Sequence, residues 1–527
     1  MRKTTQYPCL STQRLSLLLA LFFLIFYQFS VAMVQKDKRA FYNVMDYGAN
    51  GDGIHLDHIA INGAIDVAAA AGGGTVVLPA GTYLCFSIRL KSNITLYLSP
   101  GATIVAAHKD EHPGQYDTPE PNPWADLKYQ DFGHSHFRNS LIWGEHLENI
   151  AIVGTGMIYG KGLQKWGDPT PGLGNKSIAL KECRNVVLKD FSILQGGHFG
   201  ILATGIDNLT ITNLKIDTNR DAINIDGCRH VRVSDCLLNS PNDDALVLKS
   251  SYALGRPIPT EHVTVQNCSV FGYDEGTFLD GTFQKTQKQA PDKGVVTGRI
   301  KFGTESNAAF RHITITNCTF EHCRGLALET VDGAVLENIT VSNIVMNDIL
   351  NAPFFFRLGR RMRGPDDLQI GTFKRVLVDN VVITASNPVY GSMLMGIPGH
   401  DVEDIRLSNI WIRITGGGTV EQAKTVVPEL EESYPDPQEF GEIPAYGFFI
   451  RHAKNVYMDN ITLEFENPDY RPPFILENVK GAFFNNITVQ TMPGVAKFVL
   501  KDVEDFHLKE NNSKRQMRLK KVKAKSL

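Results

Sequence analysis

The chain has 527 residues, and a prior of about 150 residues per domain would divide it into roughly three domains. Hydrophobic residues make up 43% and charged residues 21%, an ordinary globular balance that excludes a disordered or collagen-like chain. The 53 basic and 56 acidic residues leave a net charge of −3, which argues against a nucleic-acid partner, and eight cysteines are too few for a disulfide scaffold.

Residues 1–32 read as a signal peptide. Arg2, Lys3 and Arg14 make a positive start, Leu15 to Tyr27 is apolar, and Ser30-Val31-Ala32 supplies a small-x-small cleavage site. The apolar run is shorter than the ~20 residues a spanning helix needs, and no other run is longer, so export (periplasmic or secreted) without membrane attachment is expected. The body, 33–508, then carries 42 basic and 55 acidic residues, a charge of −13. The tail, 509–527, holds eight basic residues and one acid and is expected to be a flexible, solvated terminus.

The run His58 to Ala70 has helical spacing and is stopped by Gly72-Gly73-Gly74, with Thr75-Val-Val-Leu-Pro beginning the first strand. A short motif then recurs: Asn93-Ile-Thr-Leu, Asn149-Ile-Ala-Ile, Asn185-Val-Val-Leu, Asn208-Leu-Thr-Ile, His230-Val-Arg-Val, His262-Val-Thr-Val, His312-Ile-Thr-Ile, Asn338-Ile-Thr-Val and onward to Asn486-Ile-Thr-Val. Period-2 alternation of β-branched residues means half-buried strands. The tightest spacings, 22 to 26 residues, predict an all-β chain: a single-stranded right-handed parallel β-helix, one coil per repeat, spanning 33–508 behind a short N-terminal capping helix. Asparagine tolerates left-handed backbone and satisfies turn groups, so it is expected at the corners. Asn93, Asn208, Asn338, Asn460 and Asn486 also match the glycosylation pattern. Cys228, Cys236, Cys268, Cys318 and Cys323 are expected as small core residues, with Cys318 and Cys323 as a candidate pair; no clustered Cys/His spacing suggests a metal, and no cofactor is expected.

Tyr42-Asn-Val-Met-Asp-Tyr-Gly-Ala-Asn-Gly-Asp-Gly53, Gly72-Gly-Gly-Thr-Val-Val-Leu-Pro-Ala-Gly-Thr-Tyr83 and Gly154-Thr-Gly-Met-Ile-Tyr-Gly160 resemble the opening of pectin-lyase-like β-helix proteins. Within them the chain is similar to glycoside hydrolase family 28, the polygalacturonases and rhamnogalacturonan hydrolases. Asn219-Arg220-Asp221-Ala222 and Asn242-Asp243-Asp244-Ala245 resemble that family's aspartate motifs. They lie 22 residues apart, so one coil would set them side by side. Glycoside hydrolysis needs an acid for the leaving oxygen and a base for water. The resemblance implies Asp243 as general acid, Asp221 and Asp244 as holders of water, and inversion. The implied partner is an acidic polysaccharide of the plant-cell-wall, pectin type.

The chain departs from the family where the substrate carboxylate is usually bound. The stretch Thr297 to Glu305 lacks the expected histidine, and Ala327-Leu328-Glu329 stands where Arg-Ile-Lys is expected. Replacement binders are sought in Arg299, Lys301 and Glu305, in Arg357 and Arg360 of the arginine-rich run 355–364, and in His198 one coil before Asp221. Trp124 is a weaker candidate for stacking on a sugar. The irregular insertion Val426 to Pro444, followed by Tyr446, Arg451 and His452, is a candidate wall for one end of a cleft. Two other readings stay open: a β-helix polysaccharide lyase, with an arginine base and calcium, and a non-catalytic carbohydrate-binding protein.

Overall fold

A chain that must turn at the same place in every coil needs residues that accept a left-handed backbone at low strain. Most L-residues pay ~1–2 kcal/mol there, and Asn and Asp pay less because their side chains bond locally. In the computed structural model, which describes residues 40–287, 295–387, 389–509 and 516–527, Asn93, Asn149, Asn185 and Asn208 have φ between 55° and 62°. Their amides also stack: Asn149 Nδ2 donates to Asn93 Oδ1, Asn185 to Asn149 and Asn208 to Asn185, each at 2.9 Å. His230, His262 and His312 continue this corner with stacked rings, centroids 5.1 and 4.9 Å apart. A second corner repeats the device, Asn317 donating to Asn267, Asn343 to Asn317 and Asn380 to Asn343.

Between corners the strands pair in parallel register, coil upon coil, in one continuous sheet of 34 strands among the described residues. Val186, Leu209, Val231, Val263, Ile313 and Ile339 stand in one file through the core, each aligned with the next by register. None of them exceeds 1% exposure. Each coil therefore buries its apolar face only against its two neighbours. The right-handed parallel β-helix of the sequence reading is what forms, and its unbroken ladder replaces the three domains that length alone suggested.

The N-terminal end is closed by α1 (His58–Ala70), the span that the spacing predicted. Its Ile61, Ala64, Ile65 and Ala68 are fully buried. Gly72, at φ +105°, turns the chain, and the Gly73 amide donates to the Ala68 carbonyl at 2.9 Å. The first strand comes earlier than expected: Phe41–Asn43 pairs in parallel with Gly74–Leu78.

Two expectations are corrected. The segment Gln516–Ser526 is a strand, antiparallel to Phe498–Lys509, whereas the other paired strands among the described residues run parallel. Val522 is buried against the last coil, with Leu519 and Leu527 packed beside it, and Lys521 bonds Glu504 at 2.8 Å. Charge suggested a solvated tail, but the alternation in Met517-Arg-Leu-Lys-Lys-Val522 is a strand pattern. Its outward lysines suit an edge. Cys318 and Cys323 do not pair; the seven described cysteines are free and buried. Cys318 stacks instead beside Cys268 and Cys236 on successive coils. The signal-peptide reading lies outside the described residues. No helix among those described is long and apolar enough to cross a membrane.

Asn343 accepts from Asn380 and donates to Asn317 while holding φ at 56°. Asn343→Gly keeps the backbone freedom and loses the ladder bonds; Asn343→Ala loses both. The alanine variant is expected to be destabilised by about 1–2 kcal/mol more than the glycine variant, read as the difference in urea unfolding midpoints.

Candidate functional site

Five strands of one ladder carry the site: β1 (Phe199–Thr204), β2 (Asp221–Asp226), β3 (Leu246–Ser250), β4 (Ile300–Ser306) and β5 (Leu326–Thr330). Phe199 aligns with Asp221, Ile223 with Leu246, Leu246 with Ile300 and Lys301 with Ala327. Asp221 opens β2, and Asp243 and Asp244 lie in the turn entering β3 one coil on. The Asp244 amide donates to Asp221 Oδ1 at 3.2 Å, and the Ala222 amide to the Asp244 carbonyl at 3.1 Å. The side-by-side placement expected from the 22-residue spacing is thus formed. Carboxylate oxygens of Asp221, Asp243 and Asp244 approach within 4.8 Å of one another.

These carboxyls form the floor of a cavity of about 410 Å³, within the ~300–1,000 Å³ of small-ligand sites. Its walls come from three excursions of the chain: Leu127, Asp131 and His134 from one, Gly167 and Asp168 from a second, and Tyr434 from the insertion between Val402–Gly416 and Phe448–Asn467.

Three like charges so close would not stay together without cations. Arg220 Nη2 lies 2.7 Å from Asp243 Oδ2, and Arg299 Nε donates to Asp244 Oδ1 at 2.8 Å. Lys301 Nζ stands 3.7 Å from Asp244 and 3.5 Å from Glu329, and Lys249 Nζ donates to Glu305 at 2.5 Å beneath Asp221. Burial, reinforced by the charge on Asp243, pushes the Asp221 carboxyl well above the usual carboxylate range. Burial acts on Asp243 in the same direction, but Arg220, the hydrogen bond from Asp221 and Lys301 outweigh it and hold Asp243 well below that range. The pair therefore shares one proton, resident on Asp221. Asn224 Nδ2 fixes Asp221 Oδ2 at 2.9 Å and also contacts His134 Nε2 at 3.1 Å.

Among the sequence-predicted binders, His198 and Lys301 line the cavity. Burial, with Arg220 nearby, lowers His198 to about 3, so the ring is neutral. Its Nδ1 faces the Lys165 carbonyl at 3.2 Å and so carries the hydrogen. The ring fits because Gly133 and Gly167 lack side chains: a Cβ there would lie 2.6 and 3.0 Å from Nε2.

The others do not line the cavity. Arg299 is 3% exposed and committed to Asp244. Glu305 is fully buried, bonded to Lys249 and within 3.8 Å of Arg361. Arg357 is 1% exposed and donates to the carbonyls of Gly396, Glu429 and Leu430. Arg360 pairs with Glu431 at 2.9 Å and Glu432 at 3.3 Å, outside the cavity. The arginine-rich run braces the walls: Arg363 bonds Asp131 at 2.7 Å, and the Gly364 amide donates to the Lys128 carbonyl. Arg451 holds the insertion likewise, through the carbonyls of Val427 and Pro428, while Trp124 packs on Tyr129 and Tyr252. Sequence reasoning missed Arg220, His134, Asn224, Lys249 and Tyr434. Arg220 and Lys249 lie within or just after the aspartate motifs; His134 and Tyr434 arrive from distant excursions and leave no local signal.

The stacked parallel coils, with three aspartates gathered on one ladder, form a right-handed parallel β-helix. The family model for "Rhamnogalacturonase A/epimerase, pectate lyase-like" matches residues 41–115, and the "Right handed beta helix region" matches residues 172–288. The chain is 28% identical to an exo-poly-α-D-galacturonosidase of Dickeya chrysanthemi over 48% of its own length and 44% of that protein, so the match spans less than half of this relative. Its fold is similar to that of an exopolygalacturonase of Thermotoga maritima (TM-score 0.58, 19% identity, covering 81% of this chain and 92% of that one). It is also similar to a family 28 exopolygalacturonase of Yersinia enterocolitica (TM-score 0.54, 17% identity, 91% and 79% covered). The resemblance to glycoside hydrolase family 28 is borne out.

Arg357→Leu is expected to release the insertion while Arg360→Ala does not. Each lost hydrogen bond to the guanidinium contributes about 1.5–3 kcal/mol. Limited proteolysis should therefore cut within 417–447 about tenfold faster or more in the Arg357 variant only.

Proposed function

We propose that the protein is an exported glycoside hydrolase that cleaves α-linked, galacturonic acid-containing, pectin-type polysaccharide or oligosaccharide by acid/base catalysis with inversion. The observation that carries the reading is the trio Asp221, Asp243 and Asp244, sharing a proton at the floor of a cation-lined cavity. Asp243, with a side chain 21% exposed, faces the incoming chain; it takes over the proton that Asp221 holds in the free protein and passes it to the glycosidic oxygen as the bond to the anomeric carbon breaks. Water held by the buried Asp221 and Asp244 attacks that carbon and gives its proton to one of them, so one proton is donated and one recovered per turnover. Lys301 and Arg220 favour an anionic sugar on a body of net charge −13. The lyase reading is less favoured, because the arginines nearest the carboxylates are ion-paired with them, where no proton is taken up.

The spacing favours one second reading. Carboxylates within 4.8 Å are nearer the ~5–5.5 Å of two-carboxylate retaining sites than the ~6.5–9.5 Å of inverting ones. Retention needs a carboxylate that attacks carbon directly, and Asp221 and Asp244 are 4% and 3% exposed, better set to hold water than to form an ester.

Asp243→Asn is expected to lower kcat on polygalacturonan by about 10²–10⁴-fold while leaving oligogalacturonide binding measurable by calorimetry. Unchanged turnover would sink the reading. Proton NMR of the first-formed product is expected to show the β-anomer at the new reducing end; an α-anomer would establish the double displacement instead.

A further inference from the structure

Of the four cations around the carboxylates, Arg220 is the most exposed, and Lys249 and Lys301 show the cavity little of their surface. The side chains of Arg299 and Lys301 are each 3% exposed and that of Lys249 8%, against 16% for Arg220. Arg220 is therefore the cation that an incoming anion meets. Its backbone is pinned across the coil, since Ser240 Oγ donates to the Arg220 carbonyl at 2.7 Å, whereas its guanidinium lies at the cavity edge beside Asp243.

Other groups also face Asp243. Asp221 and the neutral His198 do so from preceding coils, and His134 from the first wall. Asp244 is adjacent, Lys301 comes from β4, and Tyr434 from the insertion. Lys301 is held by Glu329 and by the Tyr434 hydroxyl at 3.3 Å. A carboxylate that arrives here competes with Asp243 for one planar fork, and Arg can bind a carboxylate bidentately.

Building on the hydrolase reading, we propose that Arg220 is a specificity-determining residue that shields Asp243 in the free protein and transfers to the carboxylate of the bound uronic acid. Losing its counter-charge while Asp221 stays one coil away, Asp243 takes the proton from Asp221. The Asp221 O–H bond breaks, the Asp243 O–H bond forms, and no other reagent is consumed. Asp243 becomes the acid and Asp221 the base only when an anionic sugar is present. A methyl-esterified sugar fills the same space but leaves Arg220 on Asp243.

The test is steady-state kinetics of the full-length protein on oligogalacturonides, as free acid and as methyl ester, across pH. The wild type is expected to turn over the acid about 10²-fold faster in kcat than the ester, the low end of a general-acid contribution. Arg220→Gln leaves Asp243 unshielded with either substrate and is expected to bring the two within about threefold, by raising kcat on the ester. Removing a positive charge raises proton affinity, so the low-pH limb of kcat/KM, where the Asp221–Asp243 pair takes its second proton, moves to higher pH in this variant. Arg220→Lys keeps the charge without the fork. It should keep the wild-type limb and part of the preference for the acid over the ester; if the glutamine variant does not fold, this variant decides. A purely structural role would lower both substrates equally and leave the limb in place, which overturns the proposal, as would a lysine variant identical to wild type on both substrates. If the wild type cleaves neither substrate, the hydrolase reading itself fails.

Discussion

Parallel strands in adjacent coils stand one step of about 4.8 Å apart, and the chemistry of this molecule is built on that step. That step sets Asp221 on one coil beside Asp243 and Asp244 on the next, and their carboxylate oxygens lie within 4.8 Å of one another. The step holds only if every coil turns at the same corner, which the left-handed asparagines and their amide ladders ensure. A fixed step also has an electrostatic consequence. Carboxylates cannot move apart to relieve repulsion, so cations must be stacked on the neighbouring coils to meet them. Arg299 and Lys301 on the coil above, with Glu329 on the one beyond, form that alternation of charge.

Much of this was legible beforehand, because a repeat writes its geometry into the sequence. The alternation and the asparagine corners located the coils, and the 22-residue offset brought the aspartates together. Those inferences needed contacts only between adjacent turns. What stayed hidden depended on contacts between excursions whose lengths follow no period. Arg357 looked like a substrate binder because it is cationic and sits in an arginine-rich run; its partners lie 39 to 73 residues away, in loops that no pattern registers. Arg363 meets Asp131 across 232 residues. Glu305 and Arg299 were assigned to substrate because buried ion pairs cannot be told from exposed charges in a string of letters. In the segment from 516, net charge concealed an alternation that the last coil uses to cover its edge.

The cavity is a composite. Its floor belongs to the ladder and is as rigid as the sheet, while its walls are three excursions fastened to that floor. Groups on strands are held more closely than groups on loops, so the three aspartates share the stiff part and the enclosing surfaces the adjustable part. Tyr434 reaches Lys301 only because the insertion carrying it is braced at several points.

The form of that bracing has an evolutionary reading. Arg357 and Arg451 grip the insertion by the carbonyl oxygens of residues 427–430, atoms that every amino acid supplies. Such a clasp recognises chiefly the path of the chain, its side-chain contacts being Glu429 beside Arg451 and the Phe440 ring beneath Arg357. The residues presented to the cavity can then be exchanged with little effect on how the wall is held, provided the path is kept. Anchoring and recognition are under separate control, and a lineage can try new ligands against a wall that stays in place.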